Sequence, residues 1–156
     1  MPNNRYMVCR DCGFNYFHNT AAAVAGILIY ENQILLNVRN TEPGKGKLDL
    51  VGGFADFDET LEQALTRETK EELGININNW QYLCSFPNTY LYKDVTYHTM
   101  DAVFFHELTL KPSLKLQTTE VSNAVWMSLD EISLADFAFV SLARALKCFI
   151  KDKKQL

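Results

Sequence analysis

No apolar run in this 156-residue chain is long enough to cross a bilayer: the longest, Ala21–Tyr30, is about half of the roughly 20 residues that a membrane helix needs. Glycine and proline are scarce, at seven and four, which excludes a fibrous or linker-like chain. A strong charge of either sign is also missing. Fifteen basic and 19 acidic side chains leave a net charge of −4, without the basic footprint of a general nucleic-acid or membrane-surface binder. An anionic ligand would therefore need a local bridge. Met1–Tyr16 carries charges and cysteines where a secretory signal has a continuous apolar segment, so a cytoplasmic setting with reduced thiols is expected. Of the four cysteines, Cys9 and Cys12 form a C-x-x-C, whereas Cys84 and Cys148 stand singly among apolar residues and read as buried structural thiols.

What is present in quantity is apolar material, 47% of residues with 12% aromatic, enough for one core of ordinary size. The composition shifts once, after the Cys/Asn-rich residues 1–20, which read as an arm; 21–156 reads as the main domain. Ala21–Tyr30 and Gln33–Arg39 predict two strands joined by a hairpin at Glu31-Asn32. A loop at Glu42–Gly46 follows, then a short strand Lys47–Val51 ending in Gly52-Gly53. Thr60 and Gln63 form a capping box that opens a helix running to Leu73 and stopping at Gly74. Further strands are expected at Trp80–Phe86, Tyr97–Leu108 and Ala124–Leu129, with a C-terminal helix over Asp136–Lys151. Strands interrupted by one central and one terminal helix predict an α/β (α+β) fold in which helices cover the faces of a mixed sheet.

The central helix holds the chemistry. With Leu61 at zero and about 100° per residue, Leu65 falls near 40°, Ala64 near 300°, and Glu68, Glu71 and Glu72 near about 340°, 280° and 20°. The carboxylates thus share the apolar stripe, and all three are expected to point into the protein. A Glu-rich helix is ordinarily a solvated surface with intrahelical ion pairs. Acids on an inward face instead repel one another and lose hydration, at a cost of several kcal/mol unless cations neutralise them. Oxygen-only ligands favour magnesium or manganese, which keep waters and bridge to substrate phosphates.

These acids lie in a longer pattern: Gly53, five residues, Glu59, seven residues, then Arg67-Glu68-Thr69-Lys70-Glu71-Glu72-Leu73-Gly74-Ile75. This resembles the Nudix box, G-x5-E-x7-R-E-U-x-E-E-x-G-U, in which U is aliphatic. Only Thr69 departs from it, at a packing position. The resemblance implies an α/β/α sandwich that hydrolyses a nucleoside diphosphate linked to another group, with divalent metal on the box helix. Carried onto this sequence, Glu68, Glu71 and Glu72 become metal ligands with the Gly52 carbonyl as an additional one, and Glu59 pairs with Arg67 to fix loop to helix. The proton acceptor is either a box glutamate or an acid on a loop before a late strand, where Glu120 stands six residues before Trp126. Arg39, at the end of the second strand, stands where related enzymes place a phosphate-contacting arginine; otherwise it is a surface cation.

Cys9-Arg-Asp-Cys12-Gly13 resembles the second half of the zinc ribbon that precedes the Nudix domain in NADH pyrophosphatases, and Glu42–Leu50 continues the similarity. One C-x-x-C supplies two of the four ligands of a structural zinc site. It is read as a metal-free remnant, with a zinc ion completed by His18 or by a second subunit as the alternative. Leu48 and Val51 replace the Trp and Pro usual in that group, and Ser85–Tyr90 lacks the group's signature tryptophan, so NADH-like and ADP-ribose-like substrates both fit. Among Phe86, Tyr90, Tyr92 and Tyr97, Tyr90 is the candidate to stack on a nucleobase, although alternating aromatics usually serve packing. The expected enzyme takes a small nucleotide, touches neither nucleic-acid polymer nor membrane, and forms a homodimer as relatives do. The rival is a nucleotide-sensing module without catalysis; such modules typically lose box acids, and this box has lost none.

Overall fold

The computed structural model describes residues 6–153. The expected first hairpin forms as β3 (Ala21–Tyr30) and β4 (Gln33–Arg39), following a small antiparallel hairpin of β1 (Tyr6–Val8) and β2 (Asn15–Phe17) in the arm. β3 and β4 pair only over Leu28–Tyr30 and Gln33–Leu35 and then splay apart. Other strands fill the two sides of the splay. β5 (Leu48–Asp49) pairs with β4, whereas β6 (Val51–Phe54) pairs with β3. The single strand expected over Lys47–Val51 is therefore two, broken at buried Leu50, because the chain steps from one partner to the other across the opening.

Helix α1 (Leu61–Leu73) is capped as read from the sequence: Thr60 accepts from the Gln63 amide, Gln63 returns a bond to the Thr60 amide, and the Gly74 amide donates to the Lys70 carbonyl. Strands β7 (Gln81–Tyr92) and β8 (Val95–Glu107) form a longer hairpin than expected, closed by Lys93-Asp94, both with positive φ as a two-residue primed turn requires. β8 lies parallel to β3, which makes the sheet mixed, and β9 (Val121–Ser128) pairs with β4. The C-terminal helix α2 starts at Val140 rather than Asp136, because Leu134–Asp136 forms a separate 3-10 turn.

Alternation along the strands builds two cores. Val24 and Leu28 of β3, with Ala102 and Phe104 of β8, meet Ala64, Leu65 and Leu73 of α1. Ala25, Ile27 and Ile29, with Val103, meet Leu142, Ala145, Leu146 and Phe149 of α2. A mixed sheet covered by one helix on each face is the α/β/α sandwich expected, and truncating fully buried Leu65 to Ala would cost about 2–5 kcal/mol. Thr69, the residue that departs from the box pattern, is fully buried; its hydroxyl donates to the Leu65 carbonyl at 2.7 Å, so a polar side chain sits in the core without an unmet bond. Cys84 and Cys148 are half-buried rather than buried. They lie beside each other between β7 and α2, and desolvation together with Cys148 pushes the Cys84 thiol up to about 11.

Candidate active site

α1 presents its acids to β6 unequally. Glu72 is 7% exposed, and the buried Asn37 amide donates to its Oε2 at 2.8 Å. Desolvation holds its carboxyl well above the ordinary range, and the charges of Asp49, Glu68 and Glu120 push it further, against a backbone bond from Gly52. Glu68 lies against Gly53, where a Cβ would run into its carboxylate, and burial raises it as well. Glu71 departs from the inward orientation expected: its side chain is 52% exposed and pairs with Arg67 Nη1 at 3.3 Å. At the border of the apolar stripe, a carboxylate one turn beyond a cation keeps both the pair and its hydration by facing out.

Arg67 ties this end of the helix to the loop before it. Its Nη2 donates to Glu59 Oε1 at 2.7 Å and to the Phe54 carbonyl at 3.0 Å, and its Nε donates to Glu59 Oε2 at 3.3 Å. Glu59 Oε1 also accepts from the Asp56 amide at 2.7 Å. The Arg67 guanidinium and the Asp56 backbone amide hold Glu59 below the usual carboxylate range, while its carboxylate partners raise Arg67 further. Arg67 Nη1 additionally holds Glu68 Oε1 at 2.8 Å.

Among the described residues, no three His, Cys, Asp or Glu side chains converge closely enough to hold a metal ion, and Arg67 occupies an oxygen of both Glu68 and Glu71. The donor chemistry nevertheless fits a hard divalent cation. The acceptors are carboxylates, the innermost is desolvated, and its side-chain partner is a neutral amide rather than a cation. At the arm, Cys9 and Cys12 sit exposed on the β1–β2 turn, where backbone amides of Cys12 and Asp11 lower the Cys9 thiol. The His18 ring faces His98, 6.5 Å away between centroids.

The splay between β3 and β4 opens as a cavity of about 190 Å³ that collects Gly52, Glu72, Glu120, Arg39 and Tyr90 from five separate segments. Neither Glu68 nor Glu71 lines it, and Glu71 faces an outer groove with Arg67 and Lys70 instead. Glu120 is exposed at the rim, accepting weakly from Gln117 at 3.3 Å. Arg39 is committed on two sides, donating to Asp49 Oδ2 at 2.5 Å and to the Pro43 carbonyl at 2.8 Å, with its guanidinium 4.9 Å above the Phe139 ring. Gly52 has φ 154°, and a Cβ there would strike the Val24 carbonyl across the β3–β6 pairing.

The cavity also holds residues that sequence reasoning missed. Asp49 is 7% exposed, and desolvation pushes its carboxyl up to about 6 despite Arg39. Asp101 is equally buried and accepts from Thr99 Oγ1 at 2.7 Å and Ser141 Oγ at 2.5 Å. Their signal was an acid inside an otherwise apolar strand, at Leu48–Val51 and Met100–Phe105, where a charge is retained only with partners.

Residues 20–146 match the NUDIX domain family. Among curated relatives, the chain is 32% identical over 148 residues to the NAD-capped RNA hydrolase NudC of Vibrio atlanticus, covering 92% of this chain and 50% of that protein. It is 48% identical over 60 residues to the ADP-ribose pyrophosphatase of Methanocaldococcus jannaschii, covering 38% of this chain and 35% of the other. The chain spans about half the length of the NudC relatives it matches. Of solved structures, the NUDIX domain of Shewanella oneidensis NrtR, complexed with ADP ribose, superimposes with a TM-score of 0.71 at 22% identity, over 87% of this chain and 90% of that one. With every acid, glycine and arginine of the box on or beside a capped helix, the matching α/β/α sandwich and a family match over most of its length, the chain belongs to the NUDIX family.

Proposed function

We propose that this chain is a divalent-metal-dependent pyrophosphohydrolase that cleaves the diphosphate of a nucleoside diphosphate linked to another moiety, with NADH-like and ADP-ribose-like compounds as substrates. The observation that carries this reading is Glu72: a buried carboxylate crowded by three other acids and bonded to an amide calls for a cation where the cavity opens. The names of the relatives, hydrolases of NAD-capped RNA and of ADP-ribose, support the substrate class.

In this reading Glu68, Glu71 and Glu72, with the Gly52 carbonyl, hold Mg²⁺ or Mn²⁺. When bound, the ion neutralises phosphate charge and lowers the pKa of an attacking water. The rest is the work of the chain. Arg67 and Glu59 fix the Phe54–Glu59 loop so that Gly52 and Gly53 stay beside the acids, and yield Glu68 and Glu71 as ligands. Glu120, at the rim, takes the proton of the attacking water. Arg39, steadied by Asp49 and Phe139, faces the phosphates, and Tyr90 meets the nucleoside. A homodimer in the cytoplasm completes the reading, with sedimentation of the purified chain as the check on assembly. The described residues include no helix long and apolar enough to cross a membrane.

The deciding experiment incubates the chain with NADH, ADP-ribose and other nucleoside diphosphate derivatives, with and without magnesium, and separates the products. Release of a nucleoside monophosphate only with metal is expected. Binding without any cleavage across the panel would instead make the chain a nucleotide sensor. The low net charge argues against general RNA binding but does not bear on a capped end, so an RNA with an NAD cap belongs in the panel.

A further inference from the structure

Three polar side chains are sealed where β8 meets the first turn of α2. Thr99, Asp101 and Ser141 are 2%, 6% and 1% exposed; Thr99 Oγ1 donates to Asp101 Oδ1, and Ser141 Oγ donates to Asp101 Oδ2. Both carboxylate oxygens are thus taken, and the Asp101 side chain is fixed from two sides. Packing alone does not call for such a cluster, since apolar residues of the same shape would serve the fold about as well. What the cluster adds is a directional tie between the strand and the helix.

The segment leading into α2 braces the cavity residue by residue. Phe137 bridges to Leu48, the Ala138 amide donates to the Leu48 carbonyl at 2.9 Å, and Ser141 holds Asp101. Between these anchors stands Phe139, half-buried, with the Arg39 guanidinium 4.9 Å from its ring centre. Arg39 is otherwise held by its edges: Nε donates to the Pro43 carbonyl and Nη1 to Asp49, while Nη2 has no partner among the described residues. Arg39, Phe139 and Asp101 all line the acidic cavity. Leu142 also packs the start of α2 into the second core. That contact is non-directional and lets the turn rotate, whereas a hydrogen bond to a fixed carboxylate does not.

We infer that Asp101 is a positioning residue: through Ser141 it fixes the first turn of α2 and so keeps the Phe139 ring beneath Arg39, whose open edge then meets the diphosphate. The inference rests on the role proposed for Arg39 at the phosphates. Asp101 acts through its acceptor oxygens and not through its charge, which by itself opposes an anionic ligand.

The test is isothermal titration of the full chain, in magnesium, with α,β-methylene-ADP, whose bridging carbon resists cleavage. Asp101→Leu and Asp101→Asn both remove the negative charge, but the amide keeps an acceptor for Ser141. Asp101→Leu should bind the probe about three- to tenfold more weakly than wild type, the order of one cation–π contact. Asp101→Asn should bind it as tightly as wild type or more so. Ser141→Ala, which leaves the carboxylate in place, should match the loss in Asp101→Leu. Phe139→Leu should weaken binding too, and adding Ser141→Ala to it should cost nothing further, because both act through one ring. Tighter binding by Asp101→Leu, unchanged binding by Ser141→Ala, or losses that add in the double variant overturn the inference. So do melting temperatures that fall while probe affinity holds, because the cluster would then be purely structural. If Asp101→Leu does not fold, Ser141→Ala and the double variant decide. If no diphosphate is hydrolysed yet probe binding follows the Ser141 tie, the hydrolase reading falls and the positioning role stands. Hydrolysis with probe binding indifferent to the tie gives the reverse.

Discussion

A single carboxylate, Glu72, shows how burial is set against function. Its desolvation is a cost to the metal-free fold, so Glu72→Gln, which still accepts from Asn37, should raise the melting temperature without metal by about 2–4 °C for each kcal/mol recovered. On the proposed reading magnesium should stabilise wild type, and the same variant should lose that stabilisation and lower turnover by orders of magnitude. Thermal melts with and without magnesium, beside an assay, read all three. Asp49 makes the point through pH. Its carboxyl is raised from 3.8 to about 6 in the fold, so the folded state binds the proton more tightly than the unfolded chain. Its contribution is intact below about pH 4 and is lost as pH rises through about 6, by at most about 3 kcal/mol. Asp49→Asn cannot lose a proton, so its melting temperature relative to wild type should climb between pH 4 and pH 7. A flat difference across that range would contradict the assignment.

Elements constrain what residues can do. The β6 strand passes so close to β3 and α1 that both of its glycines are required, for different reasons. A methyl at Gly52 meets the Val24 backbone carbonyl, which cannot yield, whereas at Gly53 it meets the movable end of Glu68. Gly52→Ala should therefore melt several degrees lower, while Gly53→Ala should fold normally and bind magnesium more weakly; circular dichroism and a metal titration separate the two. At the start of α1, Thr60→Ala removes the cap bond from Gln63 and should cost about 1 kcal/mol of stability with little effect on KM. This helix was legible in the sequence down to its caps, because capping residues act on the four or so residues next to them. The split of Lys47–Val51 into β5 and β6 was not, since it depends on where β3 and β4 part company.

For the whole molecule, the arm and the sandwich stand apart. β1 and β2 form their own two-stranded sheet with every residue exposed, including Tyr6, Met7 and Phe17. Removing residues 1–19 should shift the melting temperature by under about 3 °C, since little buried apolar area is lost with them. A larger drop would mean that the hairpin is covered by another copy of the chain, which sedimentation would reveal. The sandwich itself depends on both cores, and it is the splay between β3 and β4 that supplies the cavity.

Whereas the Arg67–Glu59 pair was implied by the resemblance of the box, the box itself, the Thr60 and Gly74 caps, the first hairpin and the alternation that buries one strand face on each helix come from the sequence alone. These are set by spacing along the chain, through the 3.6-residue and two-residue periods and local bonding. Tertiary structure decided which acids matter together. It brought Asp49 of β5 and Asp101 of β8 into one cavity with Glu72, placed Glu120 at their rim, turned Glu71 outward, and left Tyr92 and Tyr97 of the β7–β8 hairpin exposed. Proximity across a sheet follows from strand order and register, and neither is carried by a period within one strand.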